Sequence, residues 1–65
     1  MIGREIDAPA GFWHSAGRPL PVARAVVIGR VAKGNGYRVA LFGRDGVRLA
    51  FARIKHDTAR RYLAA

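Results

Sequence analysis

The sequence predicts an α+β fold: a three-stranded antiparallel β-meander over about residues 22–33, 37–42 and 47–54, then a short C-terminal helix over about 58–64 packed on one face. An irregular N-terminal segment, residues 1–21, precedes it, and residues 22–65 are expected to form one small domain. Three observations lead there. From Val22 onward the chain becomes rich in Val and Ile, which favour strands. Asn35-Gly36 and Asp45-Gly46 interrupt the apolar runs, and such pairs are the strongest short-range hairpin signals. Ala59, Tyr62 and Leu63 follow at i, i+3, i+4 spacing, which makes one apolar stripe on a helix.

The N-terminal segment holds Pro9, Pro19 and Pro21 together with Gly3, Gly11 and Gly17, a composition that breaks regular elements. Ile2, Arg4 and Ile6 alternate as in a short edge strand. Phe12 and Trp13 are expected to fold as a lid over an edge of the core, because large aromatics in a small domain are mostly structural. The alternative leaves Trp13 exposed to stack on a base.

The expected register follows from the turns. A two-residue loop at Asp45-Gly46 would set Leu41 opposite Ala50 and split the apolar residues between faces. A three-residue loop, Arg44-Asp45-Gly46, with Gly46 left-handed, sets Leu41 opposite Leu49, Val39 opposite Phe51 and Tyr37 opposite Arg53. The same loop length at Gly34-Asn35-Gly36 sets Val31 opposite Val39. The core face then carries Val27, Val31, Tyr37, Val39, Leu41, Val47, Leu49 and Phe51. The other face carries Arg24, Val26, Ile28, Arg30, Ala32, Arg38, Ala40, Phe42, Arg48, Ala50 and Ala52. In the last element Asp57 is expected to cap the helix, and Arg60 and Arg61 suit the C-terminal end of its dipole. So short a helix is not stable alone and should dock on the core face of the sheet.

Composition narrows the function. Twelve Lys and Arg face four Asp and Glu, a formal net charge of +8 and a pI near 11.6. Self-repulsion of that size opposes compaction, so it points to a polyanionic partner, most commonly nucleic acid. Half the residues are apolar, too many for a disordered basic tail. Cysteine is absent, which excludes disulfides and cysteine-based zinc sites. No cofactor or metal is expected. No apolar run suits a membrane span or a signal peptide, so the expected location is intracellular, in the cytoplasm, with no membrane partner.

The arginines are the candidate site. Arginine presents a planar fork of donors that pairs with phosphate in bidentate fashion. Arginines two residues apart on a strand project from one face about 6.6 Å apart. The nucleic-acid-binding set is expected to be Arg24, Arg30, Arg38, Phe42, Arg44, Arg48 and Arg53, with Arg60 and Arg61 at its edge. Phe42 is placed to stack on a base or pack on a sugar. A plain solvated sheet face is the alternative, but no acid occurs between Arg24 and Arg44. His56 and Asp57 have no nucleophile motif beside them, so no enzymatic activity is expected.

Three antiparallel strands followed by a helix across one face, over residues 22–65, resemble the small DNA-binding domains at the N-termini of phage integrases and a class of plant DNA-binding domains. That resemblance of architecture implies a sheet face entering the major groove. The leading expectation is a small basic protein that binds nucleic acid, with DNA favoured over RNA and double-stranded DNA foremost. Its setting would be accessory or regulatory, in a phage, a plasmid or a bacterium. The second is an interaction module or inhibitor, encoded by a mobile element, that docks its basic face on an acidic host protein. A homodimer joined sheet to sheet through Phe42, Ile28 and the alanines is compatible with either.

Overall fold

Alternating apolar and polar residues place the regular structure of the chain mainly in strands. The computed structural model describes residues 1–65 and is mostly β, with two antiparallel sheets and one short helix. A minimal hairpin comes first, β1 (His14–Ser15) and β2 (Arg18–Pro19). Its two turn residues, Ala16 and Gly17, have φ of 51° and 77°, the left-handed pair that a tight hairpin requires. The main sheet follows in the order β3 (Arg24–Arg30), β4 (Gly36–Phe42), β5 (Arg48–Lys55). Helix α1 (His56–Arg61) follows β5 directly. No helix is long and apolar enough to cross a membrane.

The second turn forms as expected. The Gly43 N–H donates to the Val47 carbonyl and the Gly46 N–H to the Gly43 carbonyl, both at 3.0 Å, with Gly46 at φ 79°. Beyond it the expected register fails. Phe42 pairs with Arg48, but Leu41 pairs with Ala50, Val39 with Ala52 and Tyr37 with Ile54. Leu49 is the extra residue of a β-bulge, which shifts β5 by one and exchanges its faces. Ala50, Ala52 and Ile54 therefore point inward, while Val47 (59% exposed), Leu49 (40%) and Phe51 (49%) lie outside the core. The reason is volume. Trp13 and Phe12 share a groove with Ala52 and Ile54, and two small residues on β5 leave room for this lid.

The first hairpin also departs from the expected register. Val27 pairs with Val39 and Ala25 with Leu41, a bulge lies between Val27 and Gly29, and Arg30 pairs with Tyr37. The strand ends at Arg30, so Val31 and Ala32 belong to the connection. Gly36 is a strand residue rather than a turn residue. A Cβ built on Gly36 would lie 2.7 Å from the Ile54 carbonyl oxygen of the neighbouring strand. Its lack of a side chain serves close strand approach, which sequence reasoning takes for turn chemistry.

The N-terminal segment is more ordered than expected. The Gly3 N–H donates to the Val27 carbonyl at 2.7 Å, the Val27 N–H to Arg4 at 2.9 Å and the Ile6 N–H to Ala25 at 2.9 Å. Residues 3–6 thus run along the free edge of β3, which covers an otherwise unpaired strand. On their other side the Asp7 N–H donates to Tyr62 at 2.6 Å and the Ala64 N–H to Glu5 at 3.0 Å. The two chain ends are laced together beside the sheet. Trp13 is only 8% exposed and belongs to the core with Ile6, Val27, Val39 and Leu41. Its ring meets Phe12 edge-on at 4.8 Å, and Phe12 meets Tyr62 at 5.4 Å. The lid expectation therefore holds for Trp13.

The helix begins earlier than expected and without a side-chain cap. Lys55 occupies the cap position, and Asp57 lies in the first turn. The His56 N–H donates to the Asn35 carbonyl at 3.2 Å, and its ring stacks on Tyr37 at 5.2 Å. The β3–β4 loop thus satisfies one of the N–H groups that the start of a helix leaves without an intrahelical partner. Ala59 is fully buried, and Tyr62 and Leu63 pack on the core beyond the helix end.

The two strand glycines make opposite predictions. Gly36→Ala should destabilise by about 1–3 kcal/mol, since backbone must move to admit the methyl. Gly29→Ala has nothing within 4 Å of the new Cβ and should be neutral or stabilise slightly. Thermal melts of the two variants check this; equal melting temperatures would contradict the close approach of β4 to β5.

Candidate nucleic-acid interface

The sheet has an inner face, covered by the lid and α1, and an outer face that nothing covers. The pairing defines three rows of side chains on the outer face. One row is Arg24, Phe42 and Arg48. The next is Val26, Ala40 and Phe51, with Glu5 beside Val26 at the edge. The third is Arg38 and Arg53, directly opposed. Ile28, the extra residue of the β3 bulge, is 42% exposed close to Arg38.

Phe51 occupies the centre of this array. The Arg48 guanidinium carbon lies 4.4 Å from its ring centroid and that of Arg38 lies 5.7 Å away. Both distances fall within cation–π range. Ala40, opposite Phe51, is buried and presents only a methyl group. At 3% exposure its methyl group is covered by the larger outer-face side chains around it.

The charges are largely unpaired. Arg24 Nε lies 3.3 Å from Glu5 Oε1, and this is the only ion pair in the molecule. The sequence contains no acid between Arg24 and Arg44, but the fold brings one to Arg24 from the N-terminal segment. Asp45 is engaged in its turn, where Oδ1 accepts from the Val47 N–H at 3.1 Å. Arg38, Arg48 and Arg53 have no carboxylate partner. Like charges directly opposed on a sheet are destabilising, so the Arg38–Arg53 pair is a local cost that an anion would relieve.

Not every expected arginine joins this face. Arg24, Arg38, Phe42, Arg48 and Arg53 do. Arg44 sits in the β4–β5 turn at one end. Arg30 pairs with Tyr37, an inner-face residue, and lines a cleft with Lys55 and His56. The bulge before it reverses the alternation on which its outward placement rested. Arg60 and Arg61 are exposed on α1, which packs against the inner side, so they occupy the opposite layer. Phe51 is the residue that sequence reasoning missed, because Val47, Leu49 and Phe51 form an alternating apolar set that imitates a core. The competing phase, Ala50, Ala52 and Ile54, was the available signal. No three His, Asp or Glu side chains are placed to hold a metal ion. Comparison with protein-family models, curated proteins and solved structures found no match.

Replacing one of the opposed arginines tests the electrostatic strain. Arg53→Gln should raise stability at low ionic strength by a few tenths of a kcal/mol, roughly the size of one cross-strand pair. The gain should fade as salt is added, because exposed charges are screened. A melt series at low and high salt checks this; a loss of stability that salt does not change would contradict it.

Proposed function

We propose that this protein binds nucleic acid through the outer face of β3, β4 and β5. Arg38, Arg48 and Arg53 serve as phosphate ligands, and Phe42 and Phe51 provide the aromatic contacts. The observation that supports this best is the cluster of three arginines without a carboxylate partner around an exposed aromatic ring. Phosphate oxygens match the arginine fork and would offset the Arg38–Arg53 repulsion. Arg24 contributes less, because Glu5 already engages it. Arg44 extends the positive surface past the turn. Arg30, Arg60 and Arg61 act at longer range, through the overall field that draws a polyanion to the protein.

A second reading has its own support. Val47, Leu49 and Ile28 are exposed apolar residues near the arginines, and such a mixture also suits an acidic protein surface. Two copies of this face brought together would oppose like charges, which disfavours a sheet-to-sheet dimer.

Binding to a labelled oligonucleotide over a salt series tests the proposal. With three to four phosphate contacts, log K should fall against log salt with a slope of roughly −2 to −4. Arg38→Glu with Arg48→Glu should abolish binding and change stability by only about 1 kcal/mol, since both residues are exposed and lose one cation–π contact each. Arg60→Glu with Arg61→Glu should weaken binding much less. A folded sheet double mutant that binds as well as the parent would remove this face from the proposal. Tight capture of one acidic protein, with salt-independent oligonucleotide binding, would favour the second reading.

A further inference from the structure

We infer that the nucleic acid bound here is single-stranded, with Phe51 as the platform on which an unpaired base stacks. This rests on the nucleic-acid reading of the same face and narrows its ligand. The bulge at Leu49 turns Phe51 outward to the centre of the sheet, where half of the residue is exposed. A large ring held in water at a site ringed by arginines is explained by a ligand that is both apolar and anionic. An unpaired nucleotide has these two properties in one unit: a flat base and a phosphate.

The rows fit that unit. The Arg24–Phe42–Arg48 row lies on one side of Phe51 and the opposed Arg38 and Arg53 on the other. The Arg48 and Arg38 guanidinium carbons stand 4.4 and 5.7 Å from the ring centroid, so cations flank the ring on both sides. A base stacked at Phe51 would have the phosphates before and after it beside arginines. Arg48 does not block the site, because a base stacks on a guanidinium plane as well as on a phenyl ring.

A duplex fits less well. Its bases are already stacked on one another and present only their edges in the grooves. Phe51 has no group to hydrogen-bond to a base edge, and its face would remain unused. Stacking also tolerates every base, so the expected binding is insensitive to sequence.

The test compares three labelled probes by fluorescence anisotropy: single-stranded DNA, single-stranded RNA and blunt duplex DNA, each about 12 nucleotides or base pairs long, within the usual span of such sites. Both single strands should bind more tightly than the duplex. Phe51→Ala should weaken single-strand binding by about 5- to 100-fold, the usual effect of losing one stacked base, and leave duplex binding nearly unchanged. Phe51→Trp should retain binding, and its indole emission should be quenched on the single strands. The native Trp13 is buried in the core and provides a steady background. Duplex binding at least as tight as single-strand binding, with Phe51→Ala changing neither, would overturn the inference and leave the nucleic-acid reading standing. Failure of all three probes to bind at low salt would overturn both.

Discussion

The packing of an N-terminal lid onto a sheet that is too small to bury itself governs the rest of the structure. Only ten residues of the chain are buried, and a domain of this size has little core to spare. Trp13 supplies a large share of it from outside the three main strands, and Phe12 joins it to Tyr62 beyond the helix. Such a lid needs space over β5. Ala50 and Ala52 leave that space, and the Leu49 bulge turns them inward. One extra residue in one strand thus decides which side chains hold the protein together and which meet a partner.

The same event produces the functional surface. Without the bulge, Phe51 would lie in the core and the outer face of β5 would carry Arg48, Ala50 and Ala52. With it, the outer face carries Arg48, Phe51 and Arg53 against Arg38 and Ala40 of the neighbouring strand. A large aromatic residue is left on the surface while Trp13 fills the core, and arginines on both sides keep it from being an ordinary sticky patch. Stability of the lid and chemistry of the outer face are therefore linked through the phase of β5.

The existence of three strands, the Arg44-Asp45-Gly46 turn and a C-terminal helix that buries Ala59 was legible, because turn residues and apolar spacing are local signals. So was the concentration of cations between Arg24 and Arg53. Phase was not. Val47, Leu49 and Phe51 satisfy the alternation of a core face as well as Ala50, Ala52 and Ile54 do, and only the space that Trp13 requires separates them. Gly36 was misread because a close approach between strands and a turn both call for glycine. The Glu5–Arg24 pair depends on residues 3–6 lying along β3, a long-range contact with no local signature.

The most direct measurement is an NMR titration of isotope-labelled protein with a short single-stranded oligonucleotide, following backbone amides and arginine side-chain signals. Shifts should concentrate on Arg38, Ala40, Arg48, Phe51 and Arg53, with little change in α1 or around Trp13. Shifts centred on Arg60, Arg61 and the cleft at Arg30 and His56, with the outer face silent, would contradict it.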